Sequence, residues 1–341
     1  MKSVHAFVPL VAVFALAADA GEELWQRGQR AEAIEIWAEQ LAKQPEDARL
    51  RLRLVRAELS THRYQAALDH ARALGAEGRA ERGAALYRLG KYAEALAELP
   101  RESEEQLLMR IDSGVLVAGA LEGALADAGE LERRGFAATA RAQAMLGKLR
   151  ALRGEKAAAE THFRKALELD PVDRMALFGL GKLLADSGNE AEGEALLLKH
   201  RKVVPLLDQL DFAQRSVDLA PSHGPNHAAV GDALRALGRE GEALSAYETA
   251  ERWCKPDELA PVVLRHARLL AEDRKDSAAA VQLLDAQFER SRDVRLLVRA
   301  GDLLTQRNDV AAAKTRYSKA LELRPNDKEI RARLDKLEPA K

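Results

Sequence analysis

The stretch Ala140–Asp173, ARAQAMLGKLRALRGEKAAAETHFRKALELDPVD, decides the fold of this chain. It contains two amphipathic helical patterns separated by a turn at Gly154, and Pro171 is predicted to end the second helix. An aromatic side chain at Phe163 is placed to fill the gap between the two helices. Small residues stand where the helices must cross closely: Gly147, Ala159 and Ala166. Two such short helices cannot bury their apolar stripes alone, so they must stack on neighbouring pairs.

The markers of this stretch recur along the chain. Gly147 recurs as Gly181 and Pro171 recurs as Pro205, so both markers repeat at the same interval of about 34 residues. This period and these residue types resemble the tetratricopeptide repeat family. The resemblance implies an all-α fold, a right-handed superhelix of about eight helix-turn-helix repeats with a capping helix at the C-terminal end. It also implies a concave groove, lined mainly by the first helix of each repeat, that holds a protein partner.

The repeat pattern divides the chain into predicted segments. Partly degenerate repeats cover residues 21–135, well-formed repeats cover 140–207, and further repeats with a charged capping helix cover 224–338. Residues 208–223 break the frame, because Pro205 and Pro221 are separated by only about half a repeat and enclose a single predicted helix. We therefore expect a bend or a joint in this region.

Two stretches combine competing patterns. The alternation of arginine and leucine over Arg49–Leu54 has the period of a strand, but the repeats on either side favour a helix. Residues 104–135 have lost most of the repeat markers, and we interpret them as two helices divided near Gly119.

The first twenty residues have the composition of a secretory signal. A basic start precedes the apolar run Val8–Ala18, and Ala18-Asp19-Ala20 offers the small residues that a signal peptidase recognises. The run is shorter than the roughly 20 residues of a membrane-spanning helix. We expect cleavage after Ala20 and a periplasmic or secreted protein. Two alternatives stay open: an uncleaved anchor, and a buried first helix, because the repeat frame places Gly21 at a crossing position.

Composition narrows the classes of partner. Of 341 residues, 31% are charged, yet the formal net charge is only −1, so the chain as a whole does not attract nucleic acid. We expect no stable transmembrane span in the mature protein. The single cysteine, Cys254, cannot form an internal disulfide, and we interpret it as a buried structural residue.

No stretch carries the pattern of a catalytic, metal or cofactor site, and we predict none of the three. His223 and His227 are close in the chain, but Gly224 and Pro225 stand between them, so a solvated loop is the better interpretation. His62 and His70 flank a turn without an obvious acidic partner. The run Gly179–Lys182 lacks the remainder of a phosphate-binding loop.

Family positions that face the groove supply the candidate binding residues. They form a basic and apolar patch: Arg49, Arg56, Arg141, Lys148, Met175, Phe178 and Lys182. The corresponding positions after Val294, which include Asp302, are more neutral. Ala144 and Lys148 stand where a subgroup of the family has its carboxylate clamp, so that clamp is absent. The patch suits a peptide or helix of acidic character.

The sequence therefore predicts a non-enzymatic scaffold or adaptor that binds protein or peptide partners. Its most plausible setting is an assembly of the bacterial cell envelope or an export machinery. One alternative is a module that binds cell wall or polysaccharide, although few aromatic residues face the groove. A less favoured one is an enzyme with a site in the irregular regions.

Overall fold

The structure is a computed structural model that describes residues 20–337. Its described residues form helices and turns, with no strand among them, so the all-α prediction is confirmed. The chain divides into two compact units, Met1–Pro205 and Leu206–Lys341. The predicted signal, with its apolar run, lies almost entirely outside the described residues.

Unit 1 is a succession of helix pairs. Helical residues 20–26 form α1, and the following helices are α2 Arg30–Lys43, α3 Ala48–Ser60, α4 Tyr64–Arg72, α5 Arg79–Arg88, α6 Tyr92–Glu98, α7 Glu104–Leu116, α8 Leu121–Arg133, α9 Ala140–Leu152, α10 Lys156–Leu169 and α11 Arg174–Ala185. The next helix, α12, covers Glu190–Leu219 and contains residues of both units.

Unit 2 continues the same pattern. Its helices are α13 Gly224–Ala236, α14 Glu240–Trp253, α15 Pro256–Arg268, α16 Ser277–Ser291, α17 Val294–Gln306, α18 Val310–Leu323 and the capping helix α19 Lys328–Asp335. A π-helical turn, Leu269–Asp273, extends the end of α15. Within residues 20–337 the helices make nine pairs, counting α11 with α12, so the prediction of about eight repeats is close.

Local signals explain where many first helices begin. The side chains of Asp47, Thr139, Asp173 and Asp293 each accept a hydrogen bond from a backbone N–H in the first turn of the following helix. Each such cap is worth about 1 kcal/mol. Ser103 does the same for α7 and forms a full capping box with Gln106. The degenerate segment 104–135 therefore begins with a regular, capped helix, α7. Gly119 divides α7 from α8, as predicted.

The prediction that Pro205 ends a helix is wrong. The helix α12 runs through Pro205 for 30 residues, so the single helix expected over Leu206–Ala220 is the second half of a longer one. Proline removes one helical hydrogen bond and crowds the preceding turn, at a cost of about 3 kcal/mol. Burial of Ala213 and Val217 in the core of unit 2 offsets that cost. Pro171 differs because Asp173 follows it and caps a new helix.

Close packing at glycines sets the spacing of the pairs. A Cβ placed on Gly147 would lie 2.7 Å from Phe163, and one on Gly231 would lie 2.7 Å from Tyr247, so only glycine fits. Gly179 approaches the same Phe163 ring, where a Cβ would lie 2.4 Å from Cζ. Phe163 therefore spaces α9 in its own repeat and α11 in the next.

Unit 1 gives a test of this packing. We expect Gly147→Ala to lower the free energy of unfolding by about 1–3 kcal/mol, because the added methyl group overpacks the contact with Phe163. Gly129→Ala is the control, since Gly129 lies mid-helix with nothing within 4 Å of a Cβ. This control should raise the stability by up to about 1 kcal/mol through helix propensity. Urea denaturation followed by circular dichroism measures both, and equal stability of the two variants would contradict the packing role.

Candidate functional site

Two first helices of unit 1, α9 and α11, lie side by side and carry the residues of a large cavity. The cavity has a volume of about 840 Å³, and we call it the Phe178 cavity. Its lining residues come from α9, the turn after it, α10, α11 and α12: Lys148, Ala151, Leu152, Gly154, Lys156, Phe163, Arg174, Met175, Phe178, Gly179, Lys182, Leu183, Asp186 and His200.

The floor of the Phe178 cavity is apolar and partly open to water. The side chains of Phe178 and Leu152 are 51% and 54% exposed, although both are large hydrophobic groups on regular helices. The Phe178 ring lies 5.4 Å from the His200 ring, between centroids, and the buried Phe163 also lines the cavity. Contiguous exposed apolar surface of this kind marks an interaction site more often than a neutral part of the surface.

Lysines surround this floor. The Lys148 ammonium lies 3.6 Å from the Asp112 carboxylate, a weak ion pair, while Lys156 and Lys182 form no ion pair within residues 20–337. Asp186 is the one carboxylate among the residues that line the cavity. The site thus combines apolar surface with positive charge that its own neighbours leave largely unneutralised.

The structure brings together four of the seven predicted groove residues. Lys148, Met175, Phe178 and Lys182 line the Phe178 cavity. Arg141, on the first turn of α9, is exposed and does not line it. Burial and the nearby Asp112 carboxylate raise the pKa of Tyr87 to about 12. The positive charge of Arg141 acts in the opposite direction and lowers this pKa.

The other two predicted residues, Arg49 and Arg56, line a separate cavity of about 510 Å³ at the first helices of unit 1. Trp25 and Trp37 also line it, with ring centroids 5.4 Å apart, and the Arg30 guanidinium lies 3.6 Å from the centroid of the Trp25 ring. Because Trp25 is covered in this way, it does not offer the free aromatic face on which a sugar ring would stack.

A third cavity, of about 460 Å³, continues from the second one, since Arg56 and Ser60 line both. Its charged residues are mutually paired: Arg56 contacts Glu81 at 3.0 Å, and Arg88 lies 3.8 Å from Glu105. Of the three cavities, the Phe178 cavity therefore has the least compensated positive charge.

In unit 2 the position that directly follows the glycine of a first helix holds an aspartate at two places where unit 1 has a lysine. Asp232 and Asp302 directly follow Gly231 and Gly301, as Lys148 and Lys182 follow Gly147 and Gly181 in unit 1. Each aspartate accepts a hydrogen bond from a tyrosine hydroxyl: Tyr247 donates to Asp232 at 2.7 Å, and Tyr317 donates to Asp302 at 2.8 Å.

An arginine farther along the chain completes each arrangement, from α15 for Asp232 and from the capping helix α19 for Asp302. Arg265 contacts Asp232 at 2.9 Å, and Arg333 contacts Asp302 at 3.2 Å. Burial and the aspartate raise the pKa of Tyr317 to about 12 and raise that of Tyr247 as well, so both hydroxyls stay protonated donors. These networks were not predicted from the sequence, although an aspartate directly after the glycine, with a tyrosine on the following helix, is a readable signal.

The histidines that attracted attention have local partners. His223 contacts the Asn226 amide oxygen at 3.1 Å and His227 contacts the Pro221 carbonyl at 2.7 Å, so they do not converge on one point. The expectation that His70 lacks an acidic partner is wrong, because its Nδ1 lies 3.0 Å from the buried Glu58 carboxylate. This pair joins α3 to α4. The sequence does not reveal it, because the two residues lie on different helices and meet only when these helices pack.

Three further features are metal-binding groups, the reactivity of the single cysteine and helices that could span a membrane. Within residues 20–337 no three His, Cys, Asp or Glu side chains are grouped so as to hold a metal ion. Cys254 is buried, and burial raises the pKa of its thiol to about 11, which keeps it unreactive at neutral pH. No helix in the described part of the chain is long and apolar enough to cross a membrane.

Comparison with known families agrees with this geometry. One model of the tetratricopeptide repeat matches residues 18–78 and 145–202, and a second matches residues 294–327. These three segments of the chain match the tetratricopeptide repeat. The segment 145–202 includes every residue that lines the Phe178 cavity. No curated protein matches the chain.

Solved tetratricopeptide structures show distant likeness. A thermophilic protein of this kind from Thermus thermophilus is 23% identical, over 58% of this chain and 98% of that one, with a TM-score of 0.33. YrrB, described as having an unusual peptide-binding site, is 18% identical over 61% of this chain and 96% of its own, with a TM-score of 0.28. The Cut9–Hcn1 complex matches 96% of this chain and 76% of its own at 13% identity and a TM-score of 0.35.

The pair of His70 and Glu58 predicts a pH dependence. A hydrogen bond to Glu58 raises the pKa of His70 above its usual 6.5, so the stabilisation is fully present below about pH 6.5 and is lost as the pH rises through the raised value. We expect His70→Gln to destabilise the protein more at about pH 5.5 than at about pH 8.5, by up to about 1 kcal/mol. Thermal unfolding at both pH values measures the difference.

His162 supplies a control of opposite sign. Burial lowers the pKa of His162, so its contribution is present above about pH 6.5 and is lost as the pH falls. His162→Gln should therefore lose less stability at about pH 5.5 than at about pH 8.5. A pH-independent effect of His70→Gln would show that the pair does not gain a proton on folding.

Proposed function

We propose that this chain is a non-enzymatic scaffold that binds a protein partner through the groove of unit 1. Tetratricopeptide repeats generally serve protein–protein interaction. The observation that carries the proposal is the Phe178 cavity, where exposed apolar side chains and unneutralised lysines meet on two adjacent first helices. A folded protein gains nothing in stability from leaving these groups in water, so a bound partner accounts for them best.

The alternative of a polysaccharide-binding module has less support. Sugar sites usually present aromatic faces, and Trp25, at the N-terminal cavity, is packed against Trp37 and Arg30. An enzyme is also less favoured, because the degenerate segment 104–135 and the region after Pro205 form regular helices. No other observation in the described residues favours either class.

We further propose that the protein is exported and acts in a bacterial envelope or export assembly. The predicted cleavage after Ala20 would keep Gly21 and the described helical residues that follow it. A Cβ on Gly21 would lie 2.4 Å from the Trp37 indole nitrogen, so this residue packs as Gly147 does on Phe163. The mature chain would then retain the contact between Gly21 and Trp37.

Groove variants test the scaffold function. We expect the double variant Lys148→Glu/Lys182→Glu, and separately Phe178→Ser, to reduce recovery of partner proteins from an envelope fraction at least tenfold, which corresponds to about 1.4 kcal/mol. The matched control is Lys43→Glu/Lys165→Glu, which makes the same change in net charge on exposed lysines of second helices. Proteins are identified by mass spectrometry, and equal recovery by all variants would exclude the groove as the binding surface.

The native N-terminus tests the location. We expect N-terminal sequencing of protein purified from the periplasmic or secreted fraction to begin at Gly21. As the control, Ala18→Gln/Ala20→Gln should block the cleavage and leave the longer form, since the peptidase requires small residues at these positions. A native chain that starts at Met1 in the cytoplasm would contradict the proposed export.

A further inference from the structure

The proposed function leaves the partner undefined, and the Phe178 cavity constrains it further. Lys148 and Lys182 occupy the same register of two consecutive repeats, each directly after the glycine of its first helix. Their helices, α9 and α11, pack directly on each other. Both side chains line the cavity, and axes of packed helices are about 8–10 Å apart, which sets the scale of the spacing between these two positions.

Positive charge that lines the Phe178 cavity is available to a ligand. Lys182 has no ion-pair partner among the described residues, and Lys148 only shares Asp112 at 3.6 Å. Asp112 is also held by the Tyr87 hydroxyl, which donates to it at 2.9 Å. A carboxylate brought by a partner would therefore meet one free lysine and one lysine that is weakly engaged.

The apolar side chains of the cavity favour a partner that also has a large apolar side chain. Leu152 and Phe178 are half exposed, and Met175 and Leu183 line the same space. A large apolar side chain could displace water from all four. Because Lys148 and Lys182 lie on adjacent helices and line the same cavity, carboxylates that pair with them would lie next to this anchor.

An elongated partner fits better than a small anion. The two further cavities on first helices of unit 1 have volumes of about 460 and 510 Å³, and the charges of the smaller one are already paired internally. They offer polar contact along a chain without a second strong anchor. In unit 2 the matching positions hold Asp232 and Asp302, each already bound by a tyrosine and an arginine.

On the basis of the proposed function, we infer that the Phe178 cavity binds an internal protein segment in which acidic residues flank a large apolar residue. The apolar side chain packs on Phe178 and Leu152, and the flanking carboxylates pair with Lys148 and Lys182. A free C-terminal carboxylate is not required. Unit 2 does not recognise this segment.

Selection from a random peptide library tests the inference. Peptides fused internally to a phage coat protein, without a free C-terminus, are selected on the full-length protein and counter-selected on Phe178→Ser/Lys182→Glu. We expect enrichment of Asp or Glu on both sides of Phe, Trp, Leu or Met. Acidic positions about two to three residues apart would indicate an extended segment, since a strand rises about 3.3 Å per residue, and a spacing of about seven would indicate a helix.

Synthetic peptides then measure the contributions. Lys182→Glu and Phe178→Ser should each weaken the enriched peptide at least tenfold by fluorescence anisotropy, whereas Lys43→Glu/Lys165→Glu should leave the affinity within twofold. Lys182→Gln should fall between wild type and Lys182→Glu. A peptide with Lys in place of one acidic residue should bind the Lys182→Glu variant more tightly than it binds the wild-type protein. Circular dichroism confirms that each variant is folded.

The outcomes separate the inference from the proposed function. Enriched neutral or basic peptides that need Phe178 would overturn the inference and leave the scaffold function standing. Failure to enrich any peptide that depends on Phe178 or the lysines would overturn the inference, and equal recovery of partner proteins by the groove variants would overturn the scaffold function as well. Binding to vesicles of phosphatidylglycerol that depends on Phe178 and Lys182, without competition by acidic peptides, would overturn the inference in favour of a lipid ligand.

Discussion

The contact between a glycine on one helix and a large side chain on the next is the constraint on which this architecture depends. Gly21 meets Trp37, Gly147 meets Phe163, and Gly301 meets Tyr317, always with room for no Cβ. The contact holds the two helices of a pair close while a bulky group fills the space between them. The identity of that bulky group then decides what the neighbouring residue can do, because a tyrosine brings a hydroxyl that must be satisfied and a phenylalanine does not.

This difference distinguishes the two units chemically. Where the ring is Tyr247 or Tyr317, the position after the glycine holds an aspartate that accepts the buried hydroxyl. Where the ring is Phe163, the same position holds Lys148, which lines the Phe178 cavity and forms only a weak ion pair with Asp112. The choice of ring at these positions thus accompanies a difference in charge, from internally neutralised aspartates in unit 2 to positive charge around the Phe178 cavity.

Much of the fold could be predicted because its signals are local. The glycine turns and the helix over Arg49–Leu54 follow from residues close in the chain, as does the division of 104–135 at Gly119. Pro205 escapes such reasoning because its effect depends on burial of residues that follow it, which no local pattern reveals. Of the candidate groove residues, Lys148, Met175, Phe178 and Lys182 meet in one cavity, while Arg141 does not, because position in the repeat fixes a helix face but not the depth of the surface there.

Phe163 has two roles that are usually carried by different residues. Its ring sets the distance between Gly147 in its own repeat and Gly179 in the next, and it also lines the Phe178 cavity. Any partner seated in that cavity would press on the residue that spaces two repeats. Affinity and stacking are then thermodynamically linked: a ligand that prefers the stacked form would stiffen this part of unit 1, and a loosened stack would release the ligand more easily.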